Sequence, residues 1–202
     1  MIGKDQLLRA LRRCGFDYAC FQVFSMDLTA PGVENLDALP DGYRCEEITP
    51  DELRASPFES LRECAWYGGE NACLFAMRRA DGIATCLQCI WFGDRFAQQG
   101  FWPLGPHDAV SVHLVTTEDE RGKGLATYLK QQSAKRMRDR GFTRLFSRIW
   151  WTNTASLRVS EKLRWSRVAT LLELKVPGRE KPVRFAWRKR ARSALGRRGD
   201  RV

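Results

Sequence analysis

Two glycines one residue apart, Gly122 and Gly124, stand where an alternating strand pattern gives way to a helical one. Upstream, Ala109-Val110-Ser111-Val112-His113-Leu114-Val115 alternates apolar and polar residues through a β-branched run, which reads as a strand. Downstream, Leu125, Tyr128, Leu129 and Met137 recur at roughly helical spacing. A glycine turn that opens a helix gathers unpaired backbone N–H groups around one point and backs them with the positive end of the helix dipole. Such a turn suits an anion, most often phosphate, and residues without a Cβ let the ligand approach the main chain closely.

The flanking residues decide which kind of loop this is. A P-loop needs four residues between its first glycine and a Gly-Lys-Ser/Thr, and here Gly122 directly precedes Lys123. The dinucleotide fingerprint Gly-x-Gly-x-x-Gly fails because Thr127 takes the third glycine's place. What fits is Arg-x-x-Gly-x-Ala, as Arg121, Gly124 and Ala126. A second segment runs from Asn153 through Ser156, Val159, Ser160 and Lys162 to Leu163-Arg164-Trp165, with a short amphipathic helix inside it. With both motifs present in this order and separation, the chain resembles the GNAT superfamily of acyl-CoA-dependent N-acetyltransferases. That family has the first pattern in its pyrophosphate loop, and a later block that runs from Asn to Leu-Gly-Phe.

The resemblance implies an α/β fold: a mixed, mainly antiparallel central sheet flanked by helices, whose splayed strands form an acyl-CoA cleft. It implies acetyl-CoA or another acyl-CoA as co-substrate. The backbone amides of Gly122, Lys123, Gly124, Leu125, Ala126 and Thr127 would bind its pyrophosphate, Val115 and Thr116 would pair with the pantetheine amides, and Asn153 and Ser156 would meet the pantetheine arm. Arg121 and Lys123 either add charge there or are solvated, and Asn153 has a second, compatible role as a helix N-cap.

The implied chemistry is attack of a free amine on a thioester carbonyl, with an oxyanion to stabilise and a thiolate to release. A backbone N–H near Val115 is a candidate for the oxyanion. His113 has a suitable ordinary pKa for the base, and simple alternation places it on the face of Ser111 and Val115. Asp108 is the alternative base and a chain of waters a third. Ser160 stands seven residues after Asn153, where many family members carry a tyrosine general acid; a serine hydroxyl is a poor proton donor but can hydrogen-bond the sulfur or a water. Arg164 replaces the glycine that normally ends the helix in a left-handed conformation, which suggests a differently closed end or an acidic group nearby.

Composition fits a compact enzyme. The chain has 202 residues, 44% of them hydrophobic, enough for one domain with a core plus extensions. No apolar run approaches the roughly 18 residues of a membrane span, and the start lacks the long apolar segment of a signal peptide. Seven irregularly spaced cysteines read as reduced thiols in a cytoplasmic protein. Cys86 and Cys89, three apart on a strand, face opposite sides, so with only two histidines in the chain no metal is expected.

The elements that hold these residues read as follows. Residues 1–40 form an extension: a basic helix around 4–14, then a strand over 18–28. The acetyltransferase domain covers 41–188. Within it, strands are expected at 43–48, 72–78, 83–92, 109–115, 142–150, 168–176 and 183–187, and short helices at 51–56 and 58–67 capped by Thr49 and Ser56. Residues 93–108 read as a loop, and the long helix ends at Gly141. Residues 189–202 are a basic tail and carry much of the net charge of +10.

Three uses compete for that tail: a solvated segment, attachment to anionic lipid, or nucleic-acid contact, and nucleic acid is not the expected partner. A weak membrane-surface contact through the basic termini and a homodimer both stay open. The expected function is transfer of acetyl to a primary amine of a small molecule, sugar or protein. A catalytically weak acyl-CoA sensor or partner-binding module is the alternative.

Overall fold

The computed structural model describes residues 17–31, 38–98 and 100–188. The basic helix expected around residues 4–14 and the tail from 189 lie outside them. Eight strands make one sheet: β1 (Asp17–Asp27), β2 (Tyr43–Glu47), β3 (Ala72–Arg79), β4 (Ala84–Phe92), β5 (Asp108–Thr116), β6 (Arg144–Trp150), β7 (Ser166–Lys175) and β8 (Val183–Arg188). Their order is β2-β3-β4-β5-β6-β1-β7-β8, and every neighbouring pair is antiparallel except β5–β6. The sheet is therefore mixed and mainly antiparallel, as expected.

β4 is apolar on both sides because both faces are covered. One face carries α4 (Leu125–Asp139), whose Leu125, Leu129, Ala134 and Met137 pack with Phe75, Ile90 and Leu145. On the other face, α1 (Pro50–Arg54), α2 (Glu59–Arg62) and a 3₁₀ turn (Glu63–Tyr67) cover Leu74, Leu87 and Cys89. Thr49 caps α1 with a full capping box. Ser56 is not a cap: Phe58 holds that position for α2, and Ser56 Oγ accepts from its N–H at 3.3 Å. A helix α3 (Gly93–Ala97) lies within the segment expected to be loop, held by the fully buried Phe96.

β1 is an interior strand. It inserts between β6 and β7, so that Val23 faces Arg148 on one side and Ala169 on the other. Val23, Phe24 and Leu28 are almost wholly buried.

Two irregularities shape the centre. The β4–β5 register passes from Cys89↔His113 to Ile90↔Ser111, leaving Val112 as an extra residue, a β-bulge. Directly opposed residues share a face, so Ser111 goes with Ile90 toward α4 while His113 goes with Cys89 to the opposite face. This corrects the simple alternation that grouped His113 with Ser111; Val115, opposite Leu87, does share the face of His113. The second irregularity is that β5 and β6 pair only from Asp108↔Arg144 to Ser111↔Ser147, then diverge.

α5 (Thr154–Lys162) crosses from β6 to β7. Its end is closed as a glycine would close it: Trp165 N–H donates to Ser160 C=O, Arg164 N–H donates to Glu161 C=O, and Arg164 itself sits at φ 56°. The expectation of a differently closed end was wrong, because tertiary packing of Trp165 imposes the left-handed turn on an unsuitable residue. The Arg164 side chain is exposed, so Arg164→Gly is expected to relieve the strain and raise stability by about 1 kcal/mol, or about 2–4 °C in Tm, read by thermal denaturation.

Candidate functional site

The divergence of β5 and β6 opens a gap in the sheet, and the start of α4 closes one end of it. Along residues 112–116 the edge of β5 that would continue the ladder to β6 lines this gap instead. One cavity, about 520 Å³, lies against Val115, Thr116, Arg121, Gly122, Gly124, Leu125, Ala126 and Thr127 from one side and Asn153, Ser156 and Val159 from the other. A second, about 170 Å³, sits in the gap itself between Ser111, His113, Lys130, Ser147, Arg148 and Trp150. Leu114, Asn153 and Ser156 border both, so the two adjoin.

Of the residues expected to hold an acyl-CoA, all but Lys123 border the larger cavity. The turn fits a diphosphate on its own geometry. Gly122 and Gly124 take φ 82° and 80°, a conformation that glycine adopts without a Cβ penalty, and a Cβ placed on either would meet nothing within 4 Å. α4 starts with no side-chain cap and no acidic residue in its first turn. By contrast, α1 is capped by Thr49, and α5 by Asn153, whose Oδ1 accepts from Ser156 N–H at 3.1 Å. The uncapped amides of α4 therefore face the cavity available to an anion.

Lys123 turns the other way. Its ammonium donates to Glu120 at 2.8 Å, and Glu120, which is 3% exposed, also accepts from the Tyr43 hydroxyl. The pair largely cancels its own charge; Arg121 stays on the cavity wall, its Nε donating to Thr116 C=O at 3.4 Å and its guanidinium 3.6 Å from the exposed Glu118 carboxylate.

The three catalytic candidates separate. His113 borders the gap and stacks on Tyr67, ring centres 4.9 Å apart, and burial lowers its pKa, so it is the neutral imidazole at pH 7. Asp108 is not brought there. It begins β5 at the paired end, where its carboxylate accepts from Gly105 N–H at 2.8 Å and holds the preceding turn. Ser160 is fully buried, and its Oγ accepts from Lys130 Nζ at 2.8 Å.

Lys130 escaped the sequence reading. It is 2% exposed, its ammonium lies 3.9 Å from the centre of the Trp165 ring, and burial pushes its pKa down to about 7. The available signal was its spacing: Lys130, Ala134 and Met137 fall at i, i+4 and i+7, so the lysine lies in the apolar stripe.

On the face of His113, a small cavity of about 110 Å³ is lined by Trp66, Tyr67, Trp91, Phe96 and Phe101. Arg148 borders both it and the gap, lying 4.4 Å from the Phe21 ring centre and 4.6 Å from that of Phe101, with Glu173 accepting at 2.8 Å. Trp150 walls the gap and is 41% exposed. Cys86 and Cys89 are buried in the clusters on opposite faces of the sheet. Among the described residues, no helix is long and apolar enough to cross a membrane.

A mixed sheet split beside an uncapped glycine turn defines the class: an α/β protein with a cleft suited to an extended anionic ligand. The sequence profile of the acetyltransferase (GNAT) family matches residues 39–164, and the chain belongs to that family. Similar solved structures include a GCN5-related N-acetyltransferase from Sphaerobacter thermophilus, at TM-score 0.59 and 14% identity over 85% of this chain and 56% of that one. A tandem GNAT protein from the clavulanic acid biosynthesis pathway follows, at TM-score 0.57 and 16% identity over 82% and 56%. The ribosomal-protein-S18-alanine N-acetyltransferase of Escherichia coli gives TM-score 0.50 and 17% identity over 64% and 80%. The chain thus spans a little over half the length of the first two, and at these identities the likeness is one of fold. Among curated protein sequences none matches.

Proposed function

We propose that the protein transfers an acyl group, acetyl in the first instance, from acetyl-CoA to a primary amine of a small molecule by direct attack on the thioester. One observation carries the reading: the gap between β5 and β6 adjoins the cavity at the uncapped start of α4, so a single extended ligand can lay a diphosphate on the amides and its thioester in the gap. Backbone groups of β5 beyond Ser111 are available for the amides of the pantetheine arm and, near Val115, for the oxyanion. The aromatic cavity beside His113 and Arg148 is the natural seat for the acceptor, on the face opposite α4. Neutral His113 is the base that this arrangement offers, directly or through a water.

The test is release of free thiol during incubation of acetyl-CoA with a library of amines. Turnover with any amine, lost on changing the turn, supports the enzyme. Ser160, held inside the fold by Lys130, favours a second reading, an acyl-CoA sensor, which tight CoA binding without turnover across the library would establish instead.

A further inference from the structure

One ionisable group in the cleft has no part in that scheme. Lys130 projects from α4 into the wall of the gap between β5 and β6, with Ser160 Oγ at 2.8 Å and the Trp165 ring beneath it. Ser160 stands where the family resemblance places a tyrosine. The serine is too short to reach as far as a phenol would, and the lysine nitrogen lies one hydrogen bond from its oxygen. We propose that Lys130 donates the proton to the departing thiolate, and that Ser160 is the residue that positions it. The inference rests on the acyl-CoA reading above.

The step balances within the site. The amine nitrogen forms its bond to the carbonyl carbon, the carbon–sulfur bond breaks with its electron pair going to sulfur, and sulfur takes a proton from the Lys130 ammonium. The nitrogen sheds a proton to His113, directly or through a water, as the amide forms; His113 then releases it to solvent, and a proton from solvent restores Lys130.

The surroundings suit this. The other ionisable side chains bordering the gap are His113 from β5 and Arg148 from β6, and no carboxylate borders it among the described residues. From α5 and the turn after it, the lysine meets the Ser160 hydroxyl and the Trp165 ring. Burial brings the Lys130 ammonium to about 7, below the ~8.5 of an ordinary thiol, so it gives up its proton to a thiolate readily.

The experiment titrates the thiol of CoA bound to the full chain, by the ultraviolet absorbance of the thiolate against protein alone. The buried thiols Cys64 and Cys86, raised to about 11 and about 12, stay silent in that window. While charged, the ammonium favours the thiolate, so bound CoA is expected to titrate about one pH unit below free CoA, still above the about 7 of Lys130, which keeps proton transfer to the sulfur downhill. Lys130→Met, which exchanges a buried cation for an apolar chain of similar length, should bind CoA and return the thiol to its free value. Ser160→Ala should return it part of the way. A bound thiol in the wild type that titrates at or above the free value overturns the proposal, whatever the variants do. So does a lowered thiol that Lys130→Met leaves in place. Calorimetry separates the two layers: no binding of CoA to the wild type removes the acyl-CoA reading itself, whereas binding with an unshifted thiol removes only the role of Lys130.

Discussion

A chain trimmed to the family-matched residues 39–164 is expected not to fold. The cut removes β1, β7 and β8. β1 is hydrogen-bonded to β6 over seven residue pairs, from Phe21↔Trp150 to Asp27↔Arg144, and its loss turns β6 into a bare edge. The side chains Val23, Phe24, Leu28, Trp165 and Leu171, each at most 5% exposed, leave the core with it. At about 1.5–3 kcal/mol for each large apolar side chain, the loss is on the order of 10 kcal/mol. That is comparable to the whole stability of an ordinary domain, about 5–15 kcal/mol. Circular dichroism should show no cooperative thermal transition for the trimmed chain. A transition within a few degrees of that of the full chain would mean that β1 is dispensable and its interior place misjudged.

That strand shows where reading a sequence stops. The apolar-rich run of residues 18–28 announces a strand, but strand order is a non-local property, and nothing in the residues says that this one enters between β6 and β7. Elements whose signal is local were legible: the run of residues 109–115 became β5, and Gly141, at φ 88°, follows the end of α4 as expected. The glycine turn that opens α4 was legible for the same reason, since its residues lie almost consecutively in the chain.

Errors arose where one residue disturbs a period. An extra residue at Val112 moves His113 to the other face, and Ser-Val-His carries no mark of a bulge. Arg164 misled in the opposite direction: an unsuitable side chain suggested a different turn, yet the packing of Trp165 kept the turn and strained the arginine. Lys130 was missed because a lysine is read as solvent-facing by default; only its register with Ala134 and Met137 argues otherwise.

Gly124→Glu should abolish useful CoA binding while leaving the fold in place, and the geometry separates those two effects. Gly124 is the N-cap of α4 at φ 80°, and a Cβ there would point into open space, so the cost to the fold is confined to the left-handed backbone, about 1–2 kcal/mol, or about 2–8 °C in Tm. The added carboxylate, however, stands at the mouth of the amides of residues 125–127, takes the dipole's favourable site for itself and repels a diphosphate. Binding should weaken at least ~100-fold, roughly 2.7 kcal/mol, by calorimetry. Gly124→Ala carries the same backbone strain without the charge and reaches less far into the cavity, so it should lose less than about tenfold. If the glutamate variant binds CoA as tightly as the parent, the diphosphate does not sit on this turn. If alanine and glutamate lose equally, the glycine serves the backbone alone. A large gap between the two variants is what a true anion seat requires, because only there does charge outweigh strain.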